Sequence, residues 1–106
     1  MISFDKLSLE KSNGVLVTGG TGSFGSNFVK YLVEKYPEIP RIVIFSRDEK
    51  KQWDMQNEYP AKEFPQLRFF LGDIRDKERF KRALDKIDVV IHAAALKHVV
   101  IAENNP

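Results

Sequence analysis

Short apolar runs alternate with longer polar stretches from residue 14 to residue 95. The apolar runs are almost continuous in Val, Ile, Leu and Phe, which is typical of strands buried on both faces of a parallel sheet. The first polar stretch has Phe24, Phe28, Leu32 and Tyr36 at four-residue steps, the spacing of one helix face. The pattern predicts strands and helices in strict alternation: Gly14–Thr18, Ser23–Tyr36, Arg41–Ser46, Asp48–Tyr59, Leu67–Gly72, Lys77–Lys86 and Asp88–Ala95.

This alternation predicts an α/β fold, a Rossmann-like doubly wound parallel sheet with helices on both faces. Right-handed crossovers give four strands in the order 3-2-1-4, with the ligand outside their carboxyl ends. The sheet is incomplete, so we expect its fourth strand to be an exposed apolar edge that recruits another chain and makes a homo-oligomer. Residues 1–13 have no place in the pattern, and a further helix is expected to begin at Val99.

The length predicts a single domain, and the composition is typical of a soluble globular protein. The chain has 106 residues, 42% of them hydrophobic, and a net charge of +2. It has no cysteine, which excludes thiolate metal sites and fits a reducing, cytoplasmic location. We see no spaced His, Asp and Glu set for a metal and no basic patch for nucleic acid. No apolar stretch approaches the roughly 20 residues that span a bilayer, so no membrane partner is expected.

The sequence "TGGTGSFG" follows the first strand and opens the first helix. Two glycine patterns overlap in it, one of Gly20, Gly22 and Gly25 and a looser one that starts at Gly19. Glycines at this spacing allow a tight turn and let a pyrophosphate approach the amides of a helix start. A glycine-rich turn without a ligand is the alternative, but the strand-loop-helix context favours a dinucleotide.

The second strand ends in "FSRDEKK", where a dinucleotide fold meets the adenosine ribose. Ser46 offers a hydroxyl, Arg47 a planar fork suited to phosphate, and Lys50 or Lys51 further positive charge. These residues favour NADP over NAD. Asp48 complicates this interpretation because it is able to bind the ribose of NAD or to cap the helix that follows.

The third and fourth strand ends carry further candidates. Asp73 is placed to accept from an adenine amino group and Ile74 to pack on its ring, although "GD" is also common in plain turns. Three alanines at 93–95 allow a close approach to the cofactor or close helix packing. Lys97 lies at the ligand end of the sheet, while His92, inside an apolar strand, is expected to be a hydrogen-bonded core residue.

Together, "TGGTGSFG", "FSRDEKKQ", "FFLGDIRD", "DVVIHAAALKHV" and "IAENNP" resemble the extended short-chain dehydrogenase/reductase superfamily. Within it they resemble the polysaccharide-biosynthesis branch of inverting UDP-N-acetylglucosamine 4,6-dehydratases, over about residues 14–106. The resemblance implies a lyase that holds NADP, converts UDP-N-acetylglucosamine to a 4-keto-6-deoxy sugar nucleotide and serves surface-polysaccharide synthesis. Another extended sugar-nucleotide epimerase or reductase, or a non-catalytic dinucleotide-binding module, is the alternative.

The resemblance also implies a set of binding residues at matching motif positions. The implied cofactor contacts are Gly19, Thr21, Gly22, Ser23, Phe24 and Gly25 at the pyrophosphate, Ser46, Arg47, Asp48, Glu49 and Lys51 at the ribose phosphate, Asp73 and Ile74 at the adenine, and Ala93. Lys97 would approach the substrate.

The superfamily's catalytic Tyr-x-x-x-Lys and its substrate domain lie beyond residue 106 by the same resemblance. Tyr31 and Lys35 have that spacing, but both fall in the first predicted helix. We therefore expect residues 1–106 to form the N-terminal half of an NAD(P)-binding domain, with no catalytic residue and no turnover of its own.

Overall fold

The computed structural model describes residue 9, residues 11–19 and 22–92, and the backbone of residues 97–100. Its main elements follow the predicted alternation, with ends shifted by up to three residues. In chain order they are β1 (Val15–Thr18), α1 (Ser23–Lys35), β2 (Ile42–Ser46), α2 (Glu49–Glu58), β3 (Leu67–Leu71), α3 (Lys77–Ala83), β4 (Val89–His92) and β5 (Lys97–Val100).

The strands form one sheet in the order β3-β2-β1-β4-β5. The first four are parallel, and Val15 of β1 pairs with Ile42 of β2 on one side and Val89 of β4 on the other. The predicted order 3-2-1-4 is therefore confirmed. Because parallel strands share a direction, the carboxyl ends of β1, β2 and β3 lie side by side at one edge of the sheet.

The fifth strand corrects two predictions. β5 pairs antiparallel with β4, from Val89 opposite Val100 to His92 opposite Lys97. The fourth strand is therefore not an exposed edge, and the expectation that it recruits another chain through such an edge is wrong. The helix expected to begin at Val99 is also wrong over Val99 and Val100, since a non-local backbone pairing makes these residues a strand; residues 101–106 lie outside the described part.

Alternate residues of the central strands pack on opposite faces, and each face has its own hydrophobic core. Val15 and Val17 face the core that includes Leu32 of α1 and Met55 of α2. Leu16, between them, faces the core that includes residues of and after α3. The helices therefore cover both faces, as right-handed crossovers require: α1 and α2 on one side of the sheet, α3 on the other.

Two local predictions need correction. β3 was expected to be buried on both faces, but only Leu67 is buried and Leu71 is exposed, because β3 lies at the edge of the sheet. The helix predicted to reach Lys86 ends at Ala83, where the backbone amide of Leu84 bonds to the carbonyls of Phe80 and Lys81. Lys86 then takes a left-handed conformation with φ of 63°, which a helix cannot continue.

The residues before β1 are attached to the start of β4. Leu9 is buried in the core that packs on α1. The Asp88 carboxylate accepts from the Ser12 hydroxyl and, at 3.0 Å, from the backbone amide of Asn13. The hydrophobic pattern did not place this part of the N-terminal segment. In the structure it connects the amino-terminal ends of the adjacent strands β1 and β4.

Candidate functional site

A tight glycine turn connects β1 to α1. Gly19 has a φ of 69°, a left-handed conformation that favours glycine. Its amide donates to the carbonyl of Phe45 at 2.9 Å, and the amide of Gly22 donates to the carbonyl of Gly19 at 3.1 Å. The turn therefore follows the prediction for this glycine. Gly20 and Thr21, which complete the motif, lie outside the described residues.

The start of α1 has no side-chain cap. Gly22 is its N-cap residue, and its first turn contains no acidic side chain. Phe24 packs on the ring of Phe28 at a centroid distance of 6.1 Å, and Gly25 is buried. The amides of this helix end point toward the carboxyl edge of the sheet with their positive dipole, the arrangement that binds phosphate groups. Gly22, Ser23, Phe24 and Gly25 are therefore suited to the predicted pyrophosphate contact.

The end of β2 is held in place by a glutamine that the pattern analysis did not select. Gln52 is buried, and its Nε2 donates to the Ser46 hydroxyl and to the carbonyl of Phe70, both at 3.0 Å. Ser46 is itself buried and accepts this bond, so its own hydroxyl proton remains available to another acceptor. Gln52 shares with Met55 the inward face of α2, a three-residue spacing that is the only signal in the sequence.

The charged residues that follow Ser46, at positions 47–51, take different roles. Arg47 is exposed and reaches Asp73, whereas Asp48 caps α2 by accepting from the amide of Lys51 at 3.0 Å. Glu49 and Lys51 are exposed in the first turn of the helix. The cap accounts for Asp48 without a ligand, and it leaves the positive charge of Arg47 as the group that faces the cleft.

Asp73, after β3, lies between two arginines. Its carboxylate accepts from the backbone amide of Arg75 at 2.9 Å and from the Arg75 guanidinium at 2.8 Å. Arg47 adds a longer contact at 3.4 Å. The hydrogen bonds from Arg75 hold the pKa of the Asp73 carboxyl well below its usual range. The predicted acceptor for an adenine amino group is therefore ionised and already engaged by Arg75.

These groups surround one open cleft of about 460 Å³ at the carboxyl ends of β1, β2 and β3. Its floor is formed by strand ends and its rim by the two arginines and Ile74, which is 47% exposed. The lining residues are Thr18, Gly19, Phe45, Ser46, Arg47, Gly72, Asp73, Ile74 and Arg75. The cleft is thus polar at its rim and apolar at Phe45 and Ile74, which suits a base joined to a charged sugar phosphate.

The structure brings five of the predicted cofactor residues together in this cleft: Gly19, Ser46, Arg47, Asp73 and Ile74. Gly22, Ser23, Phe24, Gly25, Asp48, Glu49 and Lys51 are described outside its lining. Thr21 and Ala93 lie outside the described residues, and only the backbone of Lys97 is described, at the start of β5.

Arg75 and Gly72 were not predicted for the site. At Gly72 a Cβ would come within 2.9 Å of the Phe45 ring and 2.8 Å of the Arg79 side chain, so a glycine permits this close packing. The Gly-Asp pair after a strand was the available signal. Within the part of the chain that is described, no group of three or more potential metal-ligating side chains was found.

His92 lies at the end of β4, where it was expected to be a hydrogen-bonded core residue. Its Nδ1 is 2.9 Å from the hydroxyl of Thr18, and the side chain is half-buried beside β1. This pair joins β1 and β4 at the edge that carries the cleft, so His92 is hydrogen-bonded as predicted, but it is half-buried and not a core residue.

The comparisons with known proteins agree with this geometry. Residues 15–106 match the family described as "Polysaccharide biosynthesis protein". A UDP-N-acetylglucosamine 4,6-dehydratase (inverting) from Campylobacter jejuni is 53% identical over 92 residues, which are 87% of this chain and 26% of the relative. A UDP-glucose 4-epimerase from Rickettsia canadensis is 44% identical over 94 residues, 87% of this chain and 27% of the relative. The chain spans about a quarter of the length of these curated relatives.

Among solved structures, a dTDP-glucose 4,6-dehydratase from Bacillus anthracis in complex with NAD superposes with a TM-score of 0.58. The match has 24% sequence identity and covers 74% of this chain and 26% of that one. At this identity the likeness concerns the fold alone, and it supports the Rossmann-like class.

Proposed function

The chain belongs to the polysaccharide biosynthesis protein family, and from that membership we propose that it is the dinucleotide-binding part of an NADP-dependent nucleotide-sugar dehydratase. The observation that carries the proposal is the cleft at the ends of β1, β2 and β3, with Arg47 at its rim next to the glycine turn that opens α1. A dinucleotide needs both features, a pocket for its adenosine and a helix start for its pyrophosphate.

The described residues fit such a cofactor at two points. The uncapped start of α1, with Gly22 as its N-cap and no acid in the first turn, leaves backbone donors for a pyrophosphate. The cleft offers Ile74 and Phe45 as apolar surfaces for a base. The bound nicotinamide would accept and return a hydride; the residues described here bind and orient the other end of the molecule.

We propose NADP as the preferred dinucleotide. A 2′-phosphate carries close to two negative charges near neutral pH. The Arg47 guanidinium is 71% exposed at the rim, and its contact to Asp73 is long, at 3.4 Å. A carboxylate that would select the 2′-hydroxyl of NAD is expected at the same strand end. The candidate, Asp48, is engaged as the cap of α2, which leaves Arg47 to determine the preference.

Isothermal titration calorimetry with NADP and NAD tests this proposal directly. We expect NADP to bind more tightly, and Arg47→Met to lower the NADP affinity by about ten-fold with a smaller effect on NAD, since a charged hydrogen bond contributes about 1.5–3 kcal/mol. Arg82→Met is the matched control, because Arg82 is exposed in α3 and does not line the cleft. Tighter binding of NAD would overturn the NADP proposal, and no binding of either would overturn the dinucleotide proposal.

For the substrate, we propose UDP-N-acetylglucosamine and a 4,6-dehydratase reaction, since the Campylobacter jejuni relative with that activity in its name is 53% identical. The Rickettsia relative named as an epimerase, at 44%, supports the second candidate, a sugar-nucleotide epimerase. Both reactions would use the same dinucleotide site. Product analysis of the full reading frame with UDP-N-acetylglucosamine separates them: a 4-keto-6-deoxy sugar supports the dehydratase, and a C4 epimer supports the epimerase.

The remaining proposals concern the setting of the protein. We propose that Lys97, at the start of β5, approaches the sugar nucleotide, and Lys97→Met should then raise the KM of the full-length enzyme.

No helix in the described part of the chain is long and apolar enough to cross a membrane. We also propose that the protein lies in the cytoplasm and associates with itself, and cell fractionation and light scattering of the full-length protein test these two proposals.

A further inference from the structure

Asp73 creates an electrostatic conflict in the cleft. Its carboxylate lies beside Arg47, the group proposed to meet a 2′-phosphate, at 3.4 Å. Taken alone, this pair has no net charge, so the repulsion of Asp73 would oppose the attraction of Arg47 for a phosphate at the rim. Asp73 is only 29% exposed, and water therefore screens its charge less than that of a free surface carboxylate.

Arg75 removes this conflict by its contacts. Its Nε lies 3.2 Å from both carboxylate oxygens of Asp73, and its terminal nitrogen lies 2.8 Å from one of them. The Arg75 backbone amide donates to the same carboxylate at 2.9 Å. Such a multidentate pair fixes a guanidinium more firmly than a single contact does. Arg75 is therefore the principal partner of Asp73, and Arg47 makes the weaker, longer contact.

We propose that Arg75 is a specificity-determining residue that neutralises Asp73 and so leaves the charge of Arg47 free for a phosphate ester on the adenosine ribose. The inference rests on the proposed function and deepens it, since it concerns the same dinucleotide cleft. The three side chains together carry a net charge of +1, and without Arg75 they would carry none. A 2′-phosphate responds to this difference, whereas the 2′-hydroxyl of NAD, which is neutral, does not.

This role differs from direct contact with the phosphate. A guanidinium that binds phosphate presents N–H groups to it, and Arg75 commits Nε and one terminal nitrogen to Asp73, which leaves it fewer N–H groups for a ligand than Arg47 has. Arg47 uses only one nitrogen on Asp73, at 3.4 Å, and its side chain is largely exposed. Arg47 is thus the arginine that can turn to a ligand, and Arg75 the one that stays on the carboxylate.

The test measures the ratio of the dissociation constants of adenosine 5′-monophosphate and adenosine 2′,5′-bisphosphate by calorimetry on the 106-residue chain. These probes need only the adenosine end of the cleft. We expect wild type to prefer the bisphosphate, and Arg75→Met to lower that preference about ten-fold, the size of one unit of charge lost at this distance in a partly screened site. Arg82→Met, which removes an exposed arginine outside the cleft, should leave the ratio unchanged.

The double variant Arg75→Met with Asp73→Asn separates neutralisation from contact. The asparagine side chain is not charged, so the double variant regains the net charge of +1 from Arg47, and we expect the wild-type preference to return to within about three-fold. A preference that falls in Arg75→Met and stays low in the double variant would overturn the proposal, because Arg75 would then bind the phosphate itself. A preference that does not fall in Arg75→Met would overturn it as well.

Circular dichroism of each variant checks that the fold is kept, which is expected since the Arg75 side chain is 79% exposed. Wild type that binds neither probe, or that prefers the monophosphate, would refute the NADP proposal together with this one. Wild type that prefers the bisphosphate, with a ratio insensitive to Arg75, would refute only the role of Arg75.

Discussion

The N-cap residue of helix α1 is Gly22, which has no side chain to cap the helix, whereas the N-cap residues of α2 and α3 are Asp48 and Asp76. The two aspartates accept from the amides of Lys51 and Arg79, at 3.0 and 3.2 Å. Each of these helices also has a glutamate in its first turn, and α1 has no acid there. The same chain therefore stabilises two helix starts with negative charge and keeps negative charge away from the third.

A side-chain cap contributes about 1 kcal/mol to stability relative to alanine, and only a few tenths of a kcal/mol relative to glycine. Local rules of this kind are most often broken at functional sites, where a ligand replaces the missing partner. At α1 the partner would be a pyrophosphate, which an acidic cap would repel and whose place that cap would take. The start of α1 is therefore suited to binding and those of α2 and α3 to stability.

The largest expected effect comes from giving α1 the cap that α2 has. Gly22→Asp is sterically allowed: the backbone has φ of −76° and ψ of 178°, and among the described atoms a Cβ would meet only the carbonyl oxygen of Gly19, at 3.5 Å. We expect the melting temperature to hold or rise slightly, because an aspartate cap adds about a few tenths of a kcal/mol over glycine. We expect dinucleotide affinity to fall about 100-fold, because the new carboxylate faces the phosphates.

Gly22→Asn is the matched control for that experiment, since an asparagine caps a helix equally well without a charge. It should lose clearly less affinity than Gly22→Asp while keeping the same stability. Calorimetry and thermal melting of both variants measure the two effects separately. Equal affinity of wild type and Gly22→Asp would show that no phosphate binds at this helix start.

The second effect concerns the way α2 is attached to the sheet. Gln52→Ala removes the donor to the Ser46 hydroxyl and to the carbonyl of Phe70, both buried or half-buried acceptors at 3.0 Å. We expect a loss of about 2 kcal/mol in the free energy of unfolding, because these acceptors lose their partner away from water. Urea denaturation measures it.

Gln56→Ala is the control for Gln52→Ala, because Gln56 lies one turn further along the same helix and is exposed. It should change stability by less than about 0.5 kcal/mol. Similar losses in the two variants would show that the buried amide does not hold the end of β2, and that only helix propensity changed.

The elements of the fold that have a clear local hydrophobic pattern were predictable from the sequence. The runs that became β1, β2 and β4 are apolar up to their last residues, Thr18, Ser46 and His92, and they are buried almost completely. Four parallel strands in the order 3-2-1-4 therefore followed from periodicity and handedness. β5 was missed because its pairing with β4 is a non-local choice, and the residues Lys97–Val100 are too short and mixed a run to indicate it. The edge position of β3 likewise depends on the whole sheet.

The site divides in the same way. Gly19 and the strand-end residues Ser46, Arg47, Asp73 and Ile74 were predictable because spacing and strand ends place them at one edge of the sheet. The role of Gln52 was not, because burial of a polar side chain depends on what packs over it. Arg75 is two residues after Asp73, and the turn that follows β3 brings its side chain to the Asp73 carboxylate. A sequence pattern does not specify the conformation of that turn.

The third effect tests whether the caps of α2 and α3 serve stability alone. Asp48→Ala and Asp76→Ala should each lower the free energy of unfolding by about 1 kcal/mol, because one helix-start amide loses its acceptor. Asp76→Ala should not alter NADP affinity, since Asp76 does not line the cleft. Chemical denaturation and calorimetry of the two variants give both numbers. A variant with unchanged stability would mean that its cap is not formed in solution.

The smallest expected effect concerns Asp48, which caps α2 and lies next to Arg47 of the cleft. Asp48→Asn keeps the bond to the amide of Lys51, so stability should stay within about 0.5 kcal/mol of wild type. It removes one negative charge beside Arg47, and NADP affinity should therefore rise about two-fold, as expected for an exposed and screened charge. NAD affinity should not change if Asp48 is only a cap. A fall of NAD affinity by ten-fold or more would instead mean that the Asp48 carboxylate leaves the helix and binds the ribose, and the start of α2 would then belong to the binding surface as the start of α1 does.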